Sequence, residues 1–232
     1  MDKDAKEFVR IFRRLSQRHS AWSVWRDFIF LSAVAVSNAF DKRPGVWHER
    51  ENRYLRAIKQ YEKSERYDIV TLFALTIHAL KRNPCQDFLG TLFMELELSD
   101  HWKGQFFTPY CVAEMMARVT VGDGANLKEQ IAERGYISMS DPACGGGVTL
   151  IAFANVCRDF GIDISKDALF VGQDIDETAA LMCYIQLCAL DCAGYVTVGN
   201  SLTETVCDEK RIWLTPAYFS KAWSERRRKE RE

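Results

Sequence analysis

The 232-residue chain is short of most features that would place it quickly. It has no charge excess: 31 Lys and Arg stand against 32 Asp and Glu. That balance excludes a globally cationic DNA-coating protein but leaves room for a local nucleic-acid patch. Long apolar runs are missing too. The longest, Phe28 to Ala39, carries Ser32, Ser37 and Asn38 and is too short to span a bilayer. Residues Met1 to Arg18 mix charges and hold no apolar core with a cleavage site, so no secretory signal is read there. None of the eight cysteines forms a CxxC pair, and Cys183, Cys188 and Cys192 fall in one apolar helical run. This pattern predicts a reduced, cytoplasmic protein whose cysteines serve mainly as small core residues. The four histidines, His19, His48, His78 and His101, are scattered without partners at metal-ligand spacing, so no metal site is expected. No GxSxG is present, and neither GxGxxG nor GxxxxGK[ST] occurs. A serine hydrolase is thus unsupported, a P-loop is excluded, and a dinucleotide is not the first expectation.

What is present is ordinary folded-protein material, 47% hydrophobic and 27% charged. A chain of this length can bury roughly 70% of its unfolded surface, so it folds without metal or disulfide staples. The first hundred residues read as helices. Trp22, Trp25, Phe28, Ile29, Leu31 and Val34 recur at three- and four-residue spacing. Asp41 to Gly45 breaks that run. A charged helix follows, with Tyr54, Leu55, Ile58 and Tyr61 on one side, then apolar runs over Ile69 to Leu80 and Asp87 to Leu98.

Near Gly104 the pattern changes. Thr108-Pro109 has the chemistry of a helix start, threonine capping and proline in the first turn, with a helix to about Val119. From Tyr136 onward, strand and helix alternate. Tyr136 to Ser140, Ala168 to Gly172 and Tyr195 to Val198 read as strands, with Ile212 to Leu214 a short fourth. Helices are expected from Val148 to about Phe160 and from an Asp176 cap to about Asp191. That order begins a doubly wound α/β sheet. The last stretch, Lys221 to Glu232, holds six basic and three acidic side chains, and its Arg226 to Lys229 run reads first as a solvated helix end and second as a phosphate contact.

Three local signals carry chemistry. Asp141-Pro142-Ala143-Cys144-Gly145-Gly146-Gly147 lies between a strand and a helix, where glycines allow a sharp turn and close approach to a ligand. The helix behind it offers unpaired N–H groups. Gly172-Gln173-Asp174-Ile175-Asp176 ends the next strand and presents an acid where nucleotide-binding folds hold ribose hydroxyls. Gly104-Gln105-Phe106-Phe107-Thr108-Pro109 sets two aromatics before a helix. Each has a plain structural alternative: a tight turn, a helix cap and a hydrophobic staple.

Taken in order, GQFFTP, DPACGGG, GQDID and Gly199-Asn200-Ser201-Leu202 resemble the adenine-N6 DNA methyltransferases, most of all the modification subunit of type I restriction-modification systems. The resemblance covers roughly residues 87–202. It implies a helical N-terminal domain, residues 1–103, followed by a Rossmann-like S-adenosylmethionine-binding methyltransferase domain, residues 104–232. Phe107, Thr108 and Pro109 would flank the methionine end of S-adenosylmethionine. Asp141, Ala143 and Gly145 would form the turn beneath it. Asp174 would hold the ribose hydroxyls, Ile175 would pack on the adenine ring, and Asn200, standing where the family usually has aspartate, would accept from the adenine amino group. The implied partners are DNA, a specificity subunit or other protein completing the sheet, and a second copy of the chain; no membrane is implied.

The family's catalytic Asn/Asp/Ser-Pro-Pro-Tyr/Phe tetrapeptide is missing. The nearest candidate is Thr215-Pro216-Ala217-Tyr218, which would make Thr215, Pro216 and Tyr218 catalytic. A complete sheet of this kind has about seven strands and only three or four are readable, so the domain is expected to be truncated and one sheet edge open. Two functions follow: a DNA adenine methyltransferase acting by direct displacement on a flipped base, or a non-catalytic S-adenosylmethionine-binding or partner-binding protein.

Overall fold

A computed structural model describes residues 2–98, 108–203 and 208–229. The expected boundary between residues 103 and 104 lies outside the described residues. Five helices come first: α1 (Lys3–Leu15), α2 (Ala21–Phe40), α3 (Pro44–Ile58), α4 (Lys63–Arg82) and α5 (Phe88–Glu95). Their ends follow local chemistry. Asp2 caps α1 by accepting from the Ala5 amide at 2.8 Å, and Ser20 caps α2 by accepting from the Ser23 amide at 3.2 Å. Pro44 opens α3, Glu62 and Glu65 form a capping box at the start of α4, and Asn83 closes α4 ahead of Pro84.

Helix α2 is buried along most of its length because it packs against α9 (Glu177–Ala189) and α3, with α1 and α4 also against it. Around it Phe8, Phe12, Trp25, Phe28 and Phe93 meet edge to face at 5.3–6.1 Å between ring centroids. Each such pair contributes about 1 kcal/mol beyond its buried area.

The remaining elements are α6 (Tyr110–Val121), α7 (Ala125–Arg134), β1 (Ile137–Asp141), α8 (Val148–Asp159), β2 (Ala168–Asp174), then α9, β3 (Gly194–Val198), β4 (Ile212–Leu214) and α10 (Lys221–Lys229). One expectation changes here, and one helix was not legible in the sequence. Thr108 does not cap α6: Pro109 holds the cap position with no side-chain hydrogen bond, and the helix begins at Tyr110. Helix α7 carries mostly polar side chains and buries only Leu127, so its weak apolar stripe gave no periodic signal.

The sheet runs β1-β2-β3-β4, parallel through β3, with β4 antiparallel at the edge. Strand order never reverses among the described residues, so crossovers of the same hand put their helices on one face. Phe153 of α8 meets Phe170 of β2 at 6.3 Å, and the backbone at Gly172 faces both Cys183 of α9 and Leu150 of α8. The expected doubly wound arrangement, with crossover helices on both faces, is not seen among the described residues: α8 and α9 share one face. The opposite face carries Val171, Gln173, Tyr195, Thr197, Ile212 and Leu214 around an open groove.

Strand β4 is fastened to the helices rather than to the sheet alone. The buried Arg50 guanidinium lies 3.8 Å over the Trp213 ring and donates to Ser37 Oγ at 2.6 Å, Asp41 Oδ2 at 3.3 Å and the Ile212 carbonyl at 2.9 Å. Burial pulls the Arg50 pKa down to about 10, which still leaves it cationic at neutral pH. No helix among the described residues is long and apolar enough to cross a membrane. The described cysteines are all free thiols, four of them buried: Cys144, Cys157, Cys183 and Cys192.

Candidate functional site

Strand β1 delivers Asp141 to the carboxyl end of the sheet, and the chain turns at once. Asp141 accepts from the Ala143 amide at 3.0 Å through Oδ1 and from the Thr149 hydroxyl through Oδ2, which ties the turn to the first residues of α8. The Cys144 amide donates to the Gln173 carbonyl at 2.9 Å and so seats the loop across the end of β2. The left-handed region is needed at Gly145 and Gly147, with φ of +51° and +94°. At Gly147 a side chain would also come within 2.7 Å of Cys183 Sγ.

The next strand ends against this loop. Asp174 is 8% exposed, and its two carboxylate oxygens are held by backbone amides: Oδ2 by Gly145 at 2.8 Å and Oδ1 by Asp176 at 2.9 Å. Each oxygen keeps a second lone pair, so the carboxylate retains acceptor capacity. The Asp174 carbonyl accepts from the Gly199 amide at 2.9 Å and draws in the end of β3. Asp176 caps α9 as expected, accepting from the Ala179 amide at 3.0 Å, and burial raises its pKa. Ile175 projects between these two acids and is 65% exposed. Asn200 accepts from the Leu202 amide at 2.9 Å through Oδ1.

Ile175, Val198, Gly199 and Asn200 line a cavity of about 460 Å³ whose far wall comes from α3. That wall brings Arg53, which pairs in bidentate fashion with Glu177, both bonds at 2.8 Å. The Arg53–Glu177 pair was not legible in the sequence, since its partners lie on different helices 124 residues apart.

Thr108 and Pro109 line a second cavity, of about 420 Å³, beside Asp87 and Gly90 of α5. Phe107 lies outside the described residues. Asp87 is 4% exposed and burial raises its pKa. Gln186 of α9 bridges it to the glycine loop, donating to Asp87 Oδ1 at 2.7 Å and to the Gly146 carbonyl at 2.8 Å. The loop therefore stands between the two cavities. Gly145 is bonded to Asp174, the neighbour of Ile175, and Gly146 faces Asp87. Asp87 and Gln186 are site residues that sequence reasoning missed. Asp87 reads in the sequence only as the first residue of the apolar run to Leu98, and its contact to Gln186 spans 99 positions.

The candidate catalytic residues are not brought to this place. Thr215 is fully buried, and its hydroxyl is committed to the backbone of Gly194: it accepts from that amide at 3.0 Å and donates to that carbonyl at 3.1 Å. Gly194 begins β3, so Thr215 lies at the opposite end of the sheet from Asp174 and Asn200, about 13 Å away along a five-residue strand. Pro216 opens a short 3-10 turn, and Tyr218 packs on Tyr195 at 6.2 Å and Trp223 at 5.8 Å under Arg227. The antiparallel entry of β4 is the reason: a strand running backwards ends where its parallel neighbours begin. Thr215, Pro216 and Tyr218 thus make packing and backbone contacts at the far end of the sheet from Asp174 and Asn200.

The basic C-terminal run is partly engaged as well. Arg226 donates to the Gly135 carbonyl at 2.6 Å and stacks 4.6 Å from the Trp223 ring. Among the described residues no group of three or more His, Cys, Asp or Glu could hold a metal ion.

Compared with known proteins, residues 92–232 match the profile of the N-6 DNA Methylase family. Among solved structures the chain is similar, at 14% identity and a TM-score of 0.43, to a "putative class I S-adenosylmethionine-dependent methyltransferase" from Listeria monocytogenes. The similarity covers 90% of this chain and 57% of that one, so this chain spans a little over half of its relative's length. No curated protein matches the chain.

Proposed function

This chain belongs to the N-6 DNA methylase family, and from that premise we propose that it binds S-adenosylmethionine across the Gly145–Asp174 junction and serves methyl transfer to the exocyclic nitrogen of adenine in DNA. The observation that carries the reading is the Gly145 amide on the Asp174 carboxylate at 2.8 Å, which joins two motif loops at the carboxyl ends of adjacent parallel strands. The residues fit such a cofactor. Asp174 has lone pairs left for two ribose hydroxyls. Ile175, 65% exposed at the rim of a cavity that Val46, Val198 and Trp213 also line, offers an apolar surface for an adenine ring. The glycine turn admits no side chain at Gly147, which keeps the loop low beneath a ligand.

The bound cofactor would supply an electrophilic methyl group on a sulfonium. The chain's residues do the positioning. Asp174 orients the ribose, Asn200 accepts from the adenine amino group, and Asp141, Ala143 and Gly145 shape the floor. Phe107, Thr108 and Pro109 flank the methionine end. The target adenine is presented out of the helical stack, and rate enhancement rests on alignment of the two reactants. We read the sheet as part of a Rossmann-like methyltransferase domain over residues 104–232, preceded by a helical domain over residues 1–103. By resemblance the chain is of the type I modification-subunit kind, working with DNA and a specificity subunit in the cytoplasm.

A second reading is favoured by one observation: the best match to the catalytic tetrapeptide is buried at the far end of the sheet. On that reading the chain binds S-adenosylmethionine or a protein partner without catalysing transfer. Calorimetric titration of S-adenosylmethionine and S-adenosylhomocysteine, with Asp174→Ala as control, tests the site. Labelled methyl transfer to adenine-containing duplex DNA then separates the readings. Binding with N6-methyladenine formed supports the enzyme; binding without transfer supports the second reading. No binding at millimolar ligand overturns both as cofactor proposals.

A further inference from the structure

We infer that Asp87 is the acceptor for the α-ammonium group of the cofactor's amino-acid end, a binding residue outside the family motifs. The inference rests on the S-adenosylmethionine reading above. Asp87 is a carboxylate buried to 4% exposure, and both of its hydrogen-bond donors, the Gly90 amide at 2.9 Å and Gln186 Nε2 at 2.7 Å, reach Oδ1. No Lys, Arg or His pairs with it among the described residues. A buried carboxylate without a cation is unfavourable, and capping α5 does not require one, because Asn or Ser caps a helix without a charge.

The geometry around it points to a ligand. Asp87 lines the cavity it shares with Thr108 and Pro109, whose described walls carry two carboxylates, Asp87 and Glu95, and no basic side chain. Position 90 must be glycine for Oδ2 to lie where it does, since a methyl group there would come within 2.0 Å of it. A methyl group on Gly146 would stand 3.5 Å from both carboxylate oxygens, so Asp87 sits directly beside the loop proposed to run under the cofactor. An adenosine in the Ile175–Asn200 cavity leaves the amino-acid end to cross that loop toward Asp87. A primary ammonium group there completes a charge-assisted hydrogen bond to the buried carboxylate.

The test uses the full chain and three ligands. S-adenosylhomocysteine is compared with its deaminated analogue, and both with 5′-methylthioadenosine, which lacks the amino-acid portion. Asp87→Asn keeps the Oδ1 acceptor for Gly90 and Gln186 and removes only the charge. Removing the ligand's amino group should weaken binding to the wild type by about 10- to 100-fold. Asp87→Asn should weaken S-adenosylhomocysteine by a similar factor, leave 5′-methylthioadenosine unchanged, and show no further loss with the deaminated ligand. Equal affinity of the wild type for the amino and deaminated ligands overturns the inference whether or not the variant folds. So does an equal loss of all three ligands in Asp87→Asn. A wild type that binds none of the three overturns the S-adenosylmethionine reading itself, a result distinct from the other two.

Discussion

The Gly145 amide donates to the Asp174 carboxylate at 2.8 Å, and through that bond two loops from neighbouring strands hold each other in place. Because the second carboxylate oxygen accepts from the Asp176 amide, an asparagine here satisfies only one of the two donors and turns its own NH2 against the other. Asp174→Asn is therefore expected to lower stability by about 2 kcal/mol. In a chain of this size that is a fall in Tm of roughly 4–8 °C. Affinity for S-adenosylhomocysteine should fall with it. A variant that melts like the wild type would show that the amide contacts are not what shapes the loop.

Gly147→Ala strains the same loop from below. The residue sits at φ +94° and its new methyl would lie 2.7 Å from Cys183 Sγ. The expected loss is about 2–3 kcal/mol. Combining it with Cys183→Ala should recover only part, because the clash is relieved while the backbone strain stays. Full recovery of the thermal midpoint in the double variant would show that φ at this position carries no strain.

Thr215→Val removes the hydroxyl that accepts from the Gly194 amide and leaves that donor buried without a partner. Urea unfolding should show a loss of about 1–3 kcal/mol, with cofactor affinity per folded molecule unchanged. Unaltered stability together with abolished methyl transfer would assign Thr215 a catalytic role.

The pH dependence has a source in Asp41. Burial works to raise its pKa, but the hydrogen bonds and charge of Arg43, with Arg50 behind, outweigh it and hold the pKa below the ordinary 3.8. A depressed folded-state pKa stabilises fully above the unfolded value and is lost as pH falls through the folded one. Asp41→Asn should thus cost about 3 kcal/mol near neutral pH, and the gap to wild type should close as the pH is taken below 3.8. A gap independent of pH in urea titrations would assign the effect to packing.

Much of the fold was legible locally. The three parallel strands and helices α8 and α9 fall within a few residues of their sequence readings, because strand, glycine turn and capped helix are each specified by neighbouring residues. The strand Ile212–Leu214 was read with its observed bounds, yet nothing local tells which way it runs or which strand it joins. Its direction relocated Thr215, Pro216 and Tyr218 from the expected active site to the far end of the sheet.

The cofactor motifs were readable for the same reason that the strands were: Asp141 to Gly147 and Gly172 to Asp176 are contiguous runs whose chemistry is written in their own spacing. The sequence by itself determined that a glycine turn and an acidic strand end occur in that order in a chain without metal-ligand spacing and with a net charge of only −1. Only the tertiary structure decided that Gly145 and Asp174 touch, that Arg53 closes on Glu177 across 124 residues, and that Asp87 is buried beside Gly146 through Gln186. The first arises when β1 and β2 pair in parallel, and the other two when helices from the first half of the chain pack against α9 and the glycine loop. Packing of separate apolar faces is non-directional and leaves no short-range trace in the residues it brings together.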